Sequence, residues 1–465
     1  MDRAETNAPG AHLRAVLVLG LPLVGSHLAQ FAIHLTDTLM LGWYDVEALA
    51  AVVLAASMFM VLFLVGSGFA WAVMPMVASA AAEGDQTQVR RATRMGMWLS
   101  ILYGAAVLVP MLLAGPILLA LGQTPLLSGM AEDYLRIAGW GMVPALLVMV
   151  LKGYLSALER TRMVLWSTIL AAILNAGLNW MLIFGHWGAP ELGLRGAAIA
   201  SIISHLAPLA VLAVHVVTAR ATRDHALFQR FWRPDWPGFL QVFRLGWPIG
   251  ITTLAEVGLF AATAVMMGWL GTVPLAAHGI AIEISSATFM VHMGLSQVAT
   301  VRAGRALGRR DIAALRLGAV VVLGCSMVFA ALTMALFLGL PAPLMGLFLD
   351  PGDPQAPAIV AAGVGLLAVA ALFQFADGAQ VVTLGLLRGL RDTRVPMVLA
   401  AISYWAVGMP VAYLLGFIVG WGGIGVWLGL VIGLALAAVT LSHRFWRRLQ
   451  RLDAAPSDGT APGGA

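Results

Sequence analysis

The chain has 465 residues, 60% of them hydrophobic and only 11% charged, with 27 Lys+Arg against 22 Asp+Glu and a formal net charge of +5. An ordinary soluble domain carries roughly 25% charged residues, most of them on its surface, so a soluble globule is excluded and an integral membrane protein is implied. At about 20 apolar residues per spanning helix, twelve spans would use about 240 residues, which leaves no room for the large outer domain of a receptor or tethered enzyme.

Apolar runs between charged or Gly/Pro-rich breaks predict spans at 14–42, 48–77, 93–121, 134–155, 163–186 and 193–218, then at 240–270, 274–301, 313–340, 357–387, 395–419 and 423–444. The first run follows Asp2 and Glu5 and contains His27 and Asp37, unlike the short clean core of a cleaved signal, so it reads as the first span. Pro22 and Pro248 occupy equivalent places in the first span of each half, where they can kink a helix or simply pack. Gly66, Gly68 and Gly294 read as close helix contacts. Cys325 is the single cysteine, so no internal disulfide can form, and its apolar surroundings predict packing.

Basic residues fall on one set of loops. Arg90, Arg91 and Arg94 follow the second span, Arg160 and Arg162 the fourth, and Arg220, Arg223, Arg230 and Arg233 the sixth; Arg302, Arg305, Arg309 and Arg310, then Arg388, Arg391 and Arg394, repeat the pattern. Only Arg136 and Arg195 fall on the other side, beside acids such as Glu132, Asp133 and Glu191. Basic loops face the cytoplasm, which predicts cytoplasmic termini and a bacterial-type inner-membrane location. It also explains the sequence pI near 9.9 without nucleic-acid binding.

The chain repeats itself. A shift of 226 places Gly20 and Pro22 on Gly246 and Pro248, Met40, Gly42 and Trp43 on Met266, Gly268 and Trp269, and Asp85 on Asp311; a shift of 232 places Gly153, Leu155, Thr161 and Arg162 on Gly385, Leu387, Thr393 and Arg394. Six spans repeated as six keep their orientation. The expected fold is therefore an all-α membrane protein of twelve spans in two six-helix bundles, related by a pseudo-twofold axis along the membrane normal, as alternating-access transporters are built. The expected domains are an N-terminal cytoplasmic tail (1–13), a first lobe (14–218), an Arg-rich cytoplasmic linker (219–239), a second lobe (240–444) and a C-terminal cytoplasmic tail (445–465).

Four acids lie well inside predicted spans: Asp37, Glu256, Glu283 and Asp377. A charge at mid-membrane costs about 2.5–3.5 kcal/mol on insertion scales, so such residues face a cavity or a partner. The span map places no basic residue deep enough to pair with each of them; Lys152 sits near the cytoplasmic end of span 4. A desolvated carboxylate can exchange a proton or bind a metal cation. Asn175 and Asn179, four apart on one helix face, and Ser201 add oxygen atoms suited to a hard cation such as Na⁺, or else hold helices together. His27, His34, His205, His278 and His292 lie in or near spans without metal-site spacing and read as hydrogen-bonded structural residues. Met266, Met267, Phe289 and Met290 could line an adaptable cavity or face lipid.

Three stretches make the chain resemble the multidrug and toxic compound extrusion family, in its NorM branch: LTDTLMLGW at 35–43, GLSQVATVRAGRALGRRD at 294–311 and QFADGAQVVTLGLLRGLRDTRVPM at 374–397. The resemblance covers nearly the whole chain. It implies a cation-coupled exporter in which Asp37 matches the essential acid of span 1, Glu256 and Asp377 match the second-lobe acids of that branch, and Asn175, Asn179 and Ser201 match first-lobe cation-site positions. Some members carry Asp where this chain has Asn179, so a sodium site here would have one charge fewer. Glu283 matches no functional position of the family.

The expected function is thus an antiporter, not an enzyme, that exports cationic or amphiphilic compounds by alternating access. Na⁺ or H⁺ is the coupling ion and no cofactor is needed. Its partners would be those small molecules and the lipid bilayer, with no nucleic acid, and it would act as a monomer. The chain has no phosphate-binding loop or hydrolase motif, which favours ion gradients over ATP. A flippase of lipid-linked saccharides or an exporter of one metabolite could share the architecture; a flippase would need cations in its central cavity.

Overall fold

The computed structural model describes residues 9–350 and 352–454. Among them are twelve helices long and apolar enough to cross a membrane: α1 (Pro9–Tyr44), α2 (Glu47–Glu83), α3 (Gln86–Leu112), α4 (Pro125–Ala157), α5 (Thr161–Phe184), α6 (Leu194–Thr218), α7 (Trp236–Leu270), α8 (Thr272–Gly308), α9 (Ile312–Gly339), α10 (Ala356–Gly389), α11 (Arg394–Ile418) and α12 (Gly422–Ala454). Helices are the form these runs must take, because lipid offers no partner to a backbone N–H or C=O. The fold is all-α, with two bundles of six helices. Large apolar side chains such as Leu21, Val109, Val328 and Val439 point outward, and Trp43, Trp187, Trp269 and Trp421 stand exposed near helix ends, as in the aromatic belts of membrane proteins.

The internal repeat is written into the helix ends. Asp85 and Asp311, 226 positions apart, cap α3 and α9 alike, each carboxylate accepting a backbone N–H three residues on, from Gln88 and Ala314, at 2.9 Å. Glu159 and Arg391, 232 apart, both turn left-handed after α4 and α10, with φ of 62° and 56°. Short helices, Ala114–Ala120 and Pro341–Gly346, follow α3 and α9.

Several helices outrun the predicted spans, since a helix continues past its apolar stretch until a cap or turn stops it. α2 runs on until Gly84 adopts a left-handed conformation, α10 continues to Gly389, and α12 carries on through residues 445–454. The third predicted span is instead broken after Leu112. α4 contains a 3₁₀ turn at Gly139–Gly141, and α11 contains π-helical stretches at Ile402–Gly408 and Leu414–Ile418. Met266 and Met267 neither face lipid nor line a cavity wall of the kind expected; both are buried in the protein core.

The bundles meet along α1, α2, α7 and α8. Gly68 of α2 crosses α7 at Gly246 and Gly250 so closely that a side chain at any of the three would strike backbone, the small-residue contact that lets membrane helices approach. Phe69 stacks on Phe243 alongside, with ring centroids 5.6 Å apart. Toward the face bearing the basic loops, Arg391 Nη2 donates to Ser79 Oγ at 2.6 Å and Arg305 pairs with Glu159 at 3.2 Å.

Candidate functional site

Asp37 lies in the last third of α1, opposite α5. Because Asn175 and Asn179 are one helical turn apart, both reach it: their Nδ2 groups donate to Asp37 Oδ1 at 2.9 and 2.5 Å. Both asparagines are buried, and Asn179 Oδ1 has no hydrogen-bond partner among the described residues. The amides therefore present donors to the carboxylate, and the Asn175 oxygen accepts from the Asn179 amide at 3.4 Å. Ser201 of α6 donates to Ala197 O at 3.0 Å and lines, with Asp37 and Asn175, a cavity of about 60 Å³. The first-half residues singled out in the sequence thus come together in one place.

The second-half acids form another cluster. Glu256 of α7 and Asp377 of α10 lie within electrostatic reach of each other, and Glu256 Oε1 and Asp377 Oδ1 are buried without a hydrogen-bond partner among the described residues. Gln380 lies beside Glu256 and donates from Nε2 to the Tyr404 hydroxyl at 2.5 Å. Tyr404 sits in the first π-helical stretch of α11 and is fully buried. Two like charges at close quarters repel, and a proton or cation shared between them relieves the repulsion. Glu283, half-buried on α8, belongs to neither cluster.

Two basic residues correct the span map. Arg388, counted with the loop after span 10, is 8% exposed. Its guanidinium lies within electrostatic range of Glu256 without closing an ion pair, and 5.8 Å from the ring centroid of Trp71 on α2, a cation–π contact across the two bundles. The signal was present: Asp377, Gln380 and Arg388 recur at helical spacing and so share one face of α10. Lys152 is the second correction. It lines the Asp37 cavity, together with Gln30 and His205. The other histidines are largely structural, as expected: His27 meets Gln297 at 2.8 Å, His292 meets Ser326 at 2.8 Å, and His278 accepts from Trp427 at 3.0 Å.

Two repeated bundles of membrane-spanning helices with acids held in their interiors define a membrane transporter, not an enzyme. The MatE family model matches residues 22–181 and 248–414, once in each bundle, and the chain belongs to that family. It is 46% identical over 451 residues to the probable multidrug resistance protein NorM of Rhizobium meliloti, covering 97% of both chains, and 46% identical over 447 residues to that of Agrobacterium fabrum, covering 95% of this chain and 96% of the relative. Its fold is similar to a crystal structure of MATE in complex with MaL6 (TM-score 0.87, 20% identity, 97% of this chain and 100% of the other). It is also similar to the eukaryotic MATE transporter AtDTX14 (TM-score 0.84, 18% identity, 95% and 98%).

Proposed function

We propose that this protein is a multidrug exporter of the bacterial inner membrane, working as a monomer with both termini in the cytoplasm. It exchanges Na⁺ or H⁺ for cationic or amphiphilic compounds. The observation that carries this reading is the pair of buried, unpartnered carboxylate oxygens of Glu256 and Asp377, held inside the second bundle. The relatives named as probable multidrug resistance proteins support the substrate range. Asp37 adds a second acid position among amide donors.

Competition for these acids makes the exchange obligatory. A coupling ion arriving from outside neutralises them and expels a bound organic cation; loss of that ion inside frees them for the next. Net inward charge draws about 2.3 kcal/mol per charge per 100 mV from the membrane potential. With the basic loops cytoplasmic, the contacts of Gly68, Ser79 and Glu159 with the second bundle fasten the two bundles together on the cytoplasmic side. A saccharide flippase would gain two cations from Lys152 and Arg388. Arg388 is engaged by Glu256 and Trp71, however, and a lone lysine is a poor match for a pyrophosphate.

Dye efflux from vesicles under an imposed Na⁺ or H⁺ gradient tests the proposal. Asp37→Asn, Glu256→Gln and Asp377→Asn are each expected to lower the gradient-driven rate at least tenfold. Normal export by all three variants would overturn the coupling assignment.

A further inference from the structure

A second cavity, of about 260 Å³, is lined mostly by the first bundle and closed on one side by Gln297 of α8, and the transport cycle above does not use it. The internal repeat says what it is. The shifts of 226 and 232 carry Glu256 onto Gln30, Asp377 onto Ala145 and Arg388 onto Ser156, and all three of those residues line this cavity. It is the pseudo-symmetric counterpart of the second bundle's acid cluster. One acid is replaced by an amide, the other by a methyl group, and the arginine by a hydroxyl.

What this copy has instead is Lys152, the chain's single lysine. Its counterpart under the shift of 232 is Leu384, so the ammonium is an addition peculiar to the first bundle. Among the described residues Lys152 makes neither an ion pair nor a side-chain hydrogen bond; Asp37, which shares its smaller cavity, accepts from Asn175 and Asn179 through Oδ1 and closes no pair with it. The same wall of Gln30, Lys152 and His205 borders both cavities. On the larger side, Phe63, Trp71 and Met74 complete an apolar lining. Aromatic rings and a thioether accommodate flat apolar bodies of varied shape, and an unpaired ammonium with three donors, bordered by an amide, seeks an anion.

We propose that Lys152 turns this cavity into the anion-reading half of the substrate site, taking the carboxylate of aromatic amphiphiles that carry one in addition to a cationic group. A single ammonium among apolar walls matches a singly charged carboxylate; a phosphate or pyrophosphate calls for several donors with charge. The inference rests on the export reading and extends it. The second bundle reads the substrate's positive charge with Glu256 and Asp377, the first reads its negative charge with Lys152.

Rhodamine B and its ethyl ester share one xanthene cation and differ only in the free carboxylate, so they isolate the point. The wild type is expected to export both from energised vesicles. In Lys152→Gln the KM for rhodamine B should rise at least tenfold relative to that for the ester, and Lys152→Arg should restore the ratio. Lys152→Met, which removes a buried charge and keeps the bulk, gives the same readout should Lys152→Gln fail to fold. An equal loss for both dyes, or an unchanged ratio, would overturn the proposal, since a structural lysine does not discriminate. Export of the ester but not of rhodamine B by the wild type would overturn it while leaving the export reading intact. Export of neither would overturn both.

Discussion

In the first bundle a single carboxylate, Asp37, faces two asparagine amides, whereas in the second Glu256 lies within range of both the Asp377 carboxyl and the Arg388 guanidinium. The repeat makes the contrast exact in position. Asp37 falls on Thr263, whose hydroxyl donates to its own helix at Leu259 O, 2.8 Å away, while Glu256 falls on Gln30. Each bundle has placed its acids where the other carries a neutral residue. Duplication preserved helix caps and turns, which the backbone requires, and let the interior charges diverge. One lobe steadies an acid with neutral donors; the other brings two acids together and holds an internal cation close by.

The comparison breaks most visibly at Arg388. Removing one member of a buried, electrostatically coupled set leaves the other uncompensated, at a cost of about 3–5 kcal/mol for a closed pair. Arg388 closes no ion pair, so Arg388→Ala is expected to destabilise the detergent-solubilised protein by about 2–3 kcal/mol, including the lost contact with Trp71. Glu256→Gln in the same chain should recover more than half of that. Unfolding of the four members of this double-mutant cycle measures the coupling. Additivity within about 0.5 kcal/mol would show that Arg388 packs without serving Glu256.

A smaller effect separates the first bundle's solution from the second's. Hydrogen bonds to a charged group contribute about 1.5–3 kcal/mol, and the Asn179 amide donates directly to Asp37. Asn179→Ala withdraws one donor from the ionised carboxylate and so favours its occupied form. The half-saturating concentration of the coupling ion should fall about tenfold, the equivalent of 1.4 kcal/mol, with slower turnover as release becomes limiting. Efflux rates titrated against Na⁺ and against pH would read this directly; an unchanged midpoint in both would remove the asparagines from the coupling site.

Most of the architecture was legible because its causes are local: apolar length sets the spans, and repeated residues such as Asp85 and Asp311 mark equivalent helix ends. The acids were legible because charge inside a span is costly. Lys152 and Arg388 were misread for one reason. Hydropathy gives depth along the chain but not the face or reach of a side chain. Helix α10 in fact continues past Arg388 to Gly389, and the long side chain folds inward against Trp71. Nor does a pattern of residue types tell whether Asn175 and Asn179 offer oxygens or N–H groups; that depends on which neighbour already needs a donor.

The least costly difference between the bundles lies where they are joined. Asp235 caps α7 by accepting the Gly238 N–H at 3.1 Å and binds Arg91 of α3 through both carboxylate oxygens, tying the start of the second bundle to the first. The shift of 226 puts Pro9 and Leu317 at the corresponding places, so this tie has no copy. Hydrogen bonds from Arg91 hold the Asp235 carboxyl below the usual carboxylate range. A lowered folded-state value means stabilisation that is complete above the unfolded value of about 4 and is lost as pH falls through the folded one. Asp235→Asn keeps a competent helix cap and removes only the ion pair. Since the pair is partly solvent-screened, the expected loss at pH 7 is about 0.5 kcal/mol. Melting curves of the two proteins should therefore differ slightly at neutral pH and converge toward pH 3. A gap that persists unchanged in acid would mean that Asp235 acts through its shape and hydrogen bonds, and that its charge does not help to fasten the two bundles together.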